Sequence, residues 1–246
     1  WNESLSFLSR TVDATQRAVA VRMAALRTRT TSVLVCASTD NASIELLLDV
    51  CEQVGEPTYR QQEVPPTLRA AAWDCWAVLC TLLDDLRIAG DDIGRGLSVL
   101  VQLQEALESP HPELRSAAGQ ALSLVHESRL KLGRNDGNVT ERRFHKGSWQ
   151  DTVFETTMDE IQQRISELAV ISSQRVSKKS KKEQRATFRE YVATLVDDES
   201  PHEVVHLRAG TLEATSWKRL IVLNFMKATL QGGFQLQLMA NTTLQG

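Results

Sequence analysis

The sequence contains few cysteines, and none of its hydrophobic runs is long. Its four cysteines form no CxxC pair, and none lies near a histidine at zinc-ligand spacing, so a disulfide framework or a zinc site is not indicated. We expect Cys36, Cys51, Cys75 and Cys80 to be reduced thiols in the protein core. No apolar run approaches the ~20 residues that span a bilayer, and no signal sequence is visible. The composition therefore predicts no membrane partner, and a cytoplasmic location that leaves a nuclear one open.

Recognisable catalytic motifs are missing as well. The sequence has no phosphate-binding loop, dinucleotide fingerprint, nucleophile elbow or HExxH motif. A predicted strand connects His202 to His206, and their spacing there suits neither a helix-face metal site nor a carboxylate cluster, so we expect a surface pair. The acidic pairs Asp84-Asp85 and Asp91-Asp92 are expected at helix ends, where carboxylates cap or solvate the backbone. We therefore predict no catalytic residue, metal site, cofactor or small-molecule substrate.

Helical periodicity dominates residues 1–130. Apolar residues recur at three- and four-residue spacings in five segments, approximately 14–29, 42–54, 67–87, 94–108 and 112–128. Trp73 and Trp76 fall on an apolar face of the third segment and are expected in the core. Arg69 and Asp74 are expected as its solvent-side or capping charges.

The fourth and fifth segments form the clearest unit, VLVQLQEALESPHPELRSAAGQALSLV. Pro112 suits a first helical turn, and the small residues from Ala117 to Ala121 allow close helix packing. The pattern is typical of a HEAT or armadillo repeat, in which paired helices bury their faces against neighbouring pairs. The alternative is an irregular helical bundle with one such hairpin. We predict a mainly α protein, a HEAT/armadillo-like α-solenoid with a small C-terminal α+β module.

Residues 131–150 are predicted to form a basic loop, because glycines and turn signals interrupt the helical pattern. Cations alternate here with aromatic side chains, a mixture suited to RNA backbone and base contacts. The alternative is a solvated insertion whose aromatics pack on the solenoid. Residues 151–176 are assigned to a further helix, over about 151–171, and a linker. The loop's candidate RNA-binding residues are Arg134, Arg142, Arg143, His145 and Lys146.

Positive charge is concentrated in one later segment. The whole chain has 28 Lys and Arg against 31 Asp and Glu, yet residues 175–189 contain seven basic residues and one acidic residue. Such a local field attracts phosphate. The alternative is a solvated helix start. The candidate RNA-binding residues of this C-terminal part are Lys178, Lys179, Lys181, Lys182, Arg185, Arg189, Lys218 and Arg219.

The C-terminal module, residues 177–246, is predicted to begin with an amphipathic helix over 185–196 and a hairpin over 203–215. A further helix is predicted from Trp217 to about Leu230, and Gly232-Gly233 is expected to end it. The apolar tail beyond the glycines is too short to form a stable isolated helix. We predict that it docks on a partner; the alternative is that it folds back on its own domain. The candidate docking residues are Phe234, Leu236, Leu238 and Met239.

The order of these elements resembles the interferon-related developmental regulator family. The resemblance rests on LRAAAWDCWAVLC, LRSAAGQALSLV, KKEQRATFRE and SWKRLIVLNFMKATLQGGF. It is most specific from Lys181 to Phe234, and it covers most of the chain. In this chain the loop over about 132–150 is longer and more basic than is usual in the family, and Arg219-Leu220-Ile221 stands where the family tends to keep further basic residues.

The resemblance implies an armadillo-like protein without catalytic activity. Its implied partners are the rRNA and proteins of translationally inactive ribosomes, where family members cover the tRNA path, insert a C-terminal helix toward the mRNA exit and repress translation. A second implied role is that of a nuclear transcriptional co-regulator that binds protein partners along the solenoid. The cationic segment favours the ribosomal role, since a protein scaffold has no need of so many cations.

Overall fold

A computed structural model describes the backbone of residues 2–89, 93–134, 149–171, 188–207 and 210–234. Most of these residues are helical. The helices are α1 (Asn2–Asp13), α2 (Val19–Cys36), α3 (Asn41–Gly55), α4 (Pro66–Cys80), α5 (Asp85–Ala89), α6 (Ile93–Leu107), α7 (Pro112–Arg134), α8 (Trp149–Ile171), α9 (residues 188–195) and α10 (Trp217–Leu230). Two antiparallel hairpins accompany them, β1 (Thr58–Tyr59) with β2 (Gln62–Glu63), and β3 (Glu203–Leu207) with β4 (Gly210–Ala214).

The helices pack in pairs, and the pairs stack side by side. Helix α1 packs on α2, α3 on α4, and α6 on α7. The second helices of the pairs, α2, α4 and α7, form a continuous row in which α4 contacts both of the others. We call this the second row and the first helices of the pairs the first row. Helix α8 adds to the first row by packing on α6. Each pair thus buries its apolar face against the next, as in a helical solenoid. The predicted mainly α fold with a small C-terminal α+β module is confirmed.

The paired tryptophans lie at the centre of this stack. Trp73 is fully buried and Trp76 is 5% exposed, and their rings meet edge to face with centroids 5.9 Å apart. Gly55 of α3 allows the close contact, because a Cβ atom there would lie 2.7 Å from the ring of Trp73. The prediction that both tryptophans belong to the core is confirmed.

One charge assignment on the same helix is wrong. Arg69, expected on the solvent side, is buried: its Nε donates to the carbonyl of Gly55 at 2.8 Å, and its guanidinium pairs with Glu105 of α6. The side chain therefore joins α4 to α3 and α6. A buried guanidinium is tolerated because these acceptors replace its water.

The charged side chains of α3 form a second junction with α6. Arg95 donates to Glu45 at 2.9 Å, to Asp49 at 2.8 Å and to Glu52 at 2.9 Å. Glu52 also accepts from Trp76 Nε1 at 2.9 Å. Burial raises the pKa of Glu52, against the lowering effect of these hydrogen bonds. The first row of helices is thus held together by charge pairs as well as by apolar contacts.

Several boundaries differ from the predictions. Helix α1 and the β1–β2 hairpin were not predicted, and the segment predicted as one helix over 67–87 is divided into α4 and α5. Asp84 explains the division, since its Oδ1 accepts the backbone N–H of Arg87 at 2.7 Å and caps α5. Cys36 is exposed at the end of α2, so its assignment to the core is wrong, whereas the other three thiols are buried.

The predicted C-terminal elements are present. Strands β3 and β4 pair in the expected antiparallel sense, with His206 opposite Thr211, and α10 follows. Helix α10 packs on α4, α7 and β4. The described part of the predicted module, residues 188–207 and 210–234, is therefore built onto the solenoid. Within the described ranges, no helix is long and apolar enough to cross a membrane.

Candidate nucleic-acid interface

Helix α9, which follows the cationic segment, is fixed on α7 by a tyrosine seated over a glycine. Tyr191 is 3% exposed, and a Cβ atom added to Gly119 would lie 2.5 Å from its ring. The phenol oxygen donates to the carbonyl of Ser116 at 3.0 Å. Burial is the main cause that raises the pKa of Tyr191, so the phenol stays neutral. Glycine at position 119 therefore makes room for the ring that orients α9.

The first turn of α10 completes this anchor. The ring of Trp217 lies 5.7 Å from that of Tyr191, and its Nε1 donates to Thr194 Oγ1 at 2.9 Å. Its backbone N–H donates to Glu127 Oε2 of α7 at 2.6 Å. A carboxylate at this position satisfies an otherwise unpaired backbone donor and interacts favourably with the helix dipole. Helices α7, α9 and α10 thus form one unit.

The anchor presents Arg189 to solvent. This residue is exposed in the first turn of α9, while Phe188 on the same turn is 2% exposed and packs on Tyr191 with ring centroids 5.7 Å apart. The cationic segment therefore ends on a helix whose other face is fully packed. Its last cation is held in a defined place on the domain.

Most of the predicted RNA-binding residues lie outside the described residues. Arg134 is the last residue of α7, so this helix extends past the predicted boundary at residue 130. Because α8 begins at Trp149, the predicted loop over residues 131–150 is shortened at both ends. The candidates outside the described residues are Arg142, Arg143, His145, Lys146, Lys178, Lys179, Lys181, Lys182 and Arg185.

The two candidates on α10 differ from each other. Lys218 Nζ donates to the carbonyl of Leu83 at 2.8 Å and lies 2.9 Å from Asp85. Its charge joins α10 to the segment between α4 and α5, and its contact with RNA stays a prediction. Arg219 is exposed, and it remains a candidate for the interface.

Phe234, expected to start a docking tail, is instead 7% exposed and belongs to the core. The chain turns back at Gln231, whose φ of 48° ends α10 one residue before the predicted glycine stop. This turn returns Phe234 to the domain. The other docking candidates, Leu236, Leu238 and Met239, lie outside the described residues.

The contacts of Glu127 and Gly119 were not predicted, although both residues are central to the anchor. The small residues around Gly119 indicated a close helix approach, but a sequence does not say which side chain approaches. Glu127 gave no signal, because an acid in the middle of a helix normally faces solvent. In the described ranges, no group of three or more His, Cys, Asp or Glu side chains could hold a metal ion.

Comparison with known proteins identifies a family for most of the chain. The family model described as interferon-related developmental regulator (IFRD) matches residues 1–196. This range includes the helical pairs, the cationic segment and α9. No match was found among curated proteins.

Proposed function

The chain belongs to the interferon-related developmental regulator family, and on this premise we propose that it is a non-catalytic protein that binds ribosomal RNA and represses translation. It would occupy inactive ribosomes, with its cationic segment on rRNA and its body over the tRNA path and the mRNA channel. Its partners would be rRNA and ribosomal proteins in the cytoplasm. A protein of this kind needs a shaped, charged surface and no active site.

The observation that carries the proposal is the charge asymmetry of the chain. The net charge is −3, yet residues 175–189 contain seven cations and one acid. The segment ends at Arg189 on α9, which Tyr191 and Trp217 hold to the solenoid. A cationic segment attached to a rigid body can place the body in one orientation on a phosphate surface, because phosphate contacts set register.

The second candidate, a nuclear co-regulator that binds proteins, is favoured by an apolar groove between β4, α10 and the end of α4. The groove has a volume of about 830 Å³, and Leu212 at its edge is 40% exposed. Apolar docking should persist at high salt, whereas phosphate binding should weaken. Binding that survives 0.5 M salt, a concentration on the order of several times physiological, would therefore favour this candidate.

The RNA-binding proposal predicts that reversing two charges in the cationic segment removes ribosome association. In the full chain, Lys178→Glu with Lys179→Glu should abolish co-sedimentation with ribosomes at physiological salt. At lower salt, the slope of log affinity against log salt should fall by about two units, one for each lost phosphate contact. Sedimentation across a salt series measures both effects.

A matched control carries the same change of charge near the start of the chain. Arg10 and Arg17 are exposed near the ends of α1 and α2, so Arg10→Glu with Arg17→Glu should leave association close to that of the parent. Equal loss in the two variants would show that only net charge matters. Retained association of the Lys178/Lys179 variant would refute the assignment of the cationic segment.

A further inference from the structure

A polar cleft lies where α10 crosses the second row of helices. Its volume is about 190 Å³, and α2, α4, α7 and α10 all contribute to its lining. This volume would hold roughly six water molecules. The polar lining residues are Arg27, Asp74, Gln120, Asn224 and Thr229, and the apolar ones are Val78, Ile221, Phe225 and Ala228.

The two charged side chains of the cleft are incompletely paired. Asp74 and Arg27 are both half-buried, and the charge of Arg27 is close enough to lower the pKa of Asp74. Across the described residues, however, no hydrogen bond or ion pair joins their side chains to each other or to another group. Neither side chain has a polar atom among the fully buried ones that lack a partner, so both reach the water in the cleft and are open to a ligand that displaces it.

The carboxylate and the guanidinium have complementary needs. Asp74 lacks hydrogen-bond donors and favours a cation, whereas Arg27 lacks acceptors and favours a carboxylate, which a guanidinium can bind through two parallel hydrogen bonds. A single small molecule that carries an ammonium group and a carboxylate on one carbon would satisfy both. We propose that this cleft binds a free α-amino acid, with its ammonium group on Asp74 and its carboxylate on Arg27.

The remaining lining residues define the side chain that the ligand would carry. Val78, Ile221 and Phe225 line the cleft, and they form an apolar wall beside the charged pair. Few precisely placed polar groups beside an apolar surface are typical of small-ligand sites. Given the volume of the cleft, the wall suits an aliphatic side chain such as that of leucine or valine.

The cleft should cost the free protein stability at neutral pH. Burial raises the pKa of Asp74 from 3.8 to about 6, and the charge of Arg27 acts in the opposite direction. Cys75 and Tyr191 are the other titratable groups that interact with the charge of Asp74. Both stay neutral, because burial raises their pKa values. The folded protein binds more protons than the unfolded one between pH 3.8 and about 6, so the stability associated with protonated Asp74 is lost as the pH rises through this window.

Asp74→Asn should therefore stabilise the free protein above pH 6, with a rise in melting temperature of about 2–4 °C for each kcal/mol gained in a chain of this size. The gain should shrink as the pH falls through this window and disappear well below pH 3.8, where both states of the parent are protonated. Thermal melts at pH 4 and pH 7.5 measure the difference. A variant that is more stable yet unable to bind is the expected signature of a binding residue.

The binding test uses the full chain and L-leucine in a calorimetric titration. We expect saturable binding of leucine. L-leucinamide, which lacks the carboxylate, and 4-methylpentanoic acid, which lacks the ammonium group, should each bind at least about tenfold more weakly, as expected for the loss of one charge-assisted contact. Asp74→Asn and Arg27→Gln should weaken leucine binding to the same extent while circular dichroism stays unchanged.

Three results would overturn the proposal. The first is the absence of saturable heat with both L-leucine and L-valine. The second is equal affinity for leucine and leucinamide, which would leave Arg27 without a role. The third is unchanged leucine binding in both variants, which would place the ligand elsewhere. Because Arg27 and Asp74 lie outside the cationic segment, none of these results bears on ribosome association.

Discussion

Replacing Trp76 with alanine is expected to lower the free energy of unfolding by about 3–5 kcal/mol. The side chain is 5% exposed at the centre of the helical stack and meets Trp73 edge to face. Its removal leaves a cavity that the surrounding helices fill only in part, and it takes from the half-buried Glu52 one of its hydrogen-bond donors. Chemical denaturation of the parent and the variant measures the loss.

Two phenylalanine variants separate the contribution of the Trp76–Glu52 hydrogen bond from that of the lost side-chain volume. Trp76→Phe removes the donor to Glu52, whereas Trp73→Phe removes an Nε1–H that has no partner among the described residues. Trp73→Phe should therefore cost less than Trp76→Phe, although the two lose the same ring atoms. An unchanged melting temperature for Trp76→Ala together with lost RNA binding would instead make the tryptophan pair a recognition surface.

Gly119→Ala is expected to destabilise the protein by about 1–3 kcal/mol, as overpacking commonly does. At an unconstrained helix position the same change stabilises by about 1 kcal/mol, since alanine favours the helix. The sign is reversed here because the new Cβ would lie 2.5 Å from Tyr191, and the ring would have to move. Denaturant titration gives the sign directly.

A double-mutant cycle with Tyr191→Ala tests the cause. In that background the ring is absent, so Gly119→Ala should become neutral or stabilising. Ser123, also on α7, provides a comparison, since Ser123→Ala removes only a hydroxyl bonded to the carbonyl of Gly119 within the same helix. A cost for Gly119→Ala that is the same with and without the tyrosine ring would disprove the contact.

Periodicity was enough to predict the helical fold and much of the element order. The apolar spacings located α3 and α6 at both ends and α7 at its start, and the tryptophans were assigned to the core because no polar residue interrupts their face. The break from Ser109 to Pro112 marked the connection between α6 and α7. These signals depend only on residues that are close in the sequence, so they can be recognised without knowledge of the fold.

The misassigned residues depend on contacts that a local pattern does not contain. Arg69 and Lys218 carry charges that a sequence assigns to solvent, yet both find backbone carbonyls on other elements. The β1–β2 turn was missed because Arg60 and Gln61 occupy the left-handed region at φ 50° and 63° without a glycine to signal it. The polar cleft also escaped notice, since Arg27 and Asp74 are brought together by the stacking of α2 on α4.

The hydrogen bond from Trp217 to Glu127 joins residues 90 positions apart, and the bond from Lys218 to Leu83 joins residues 135 positions apart. Closing such long loops is entropically expensive, so these contacts form only after their targets on the solenoid exist. A ribosome that synthesises this chain releases α7 well before α9 and α10. We therefore expect the helical pairs to fold first and the C-terminal part to close over them in a late, slower step of biogenesis.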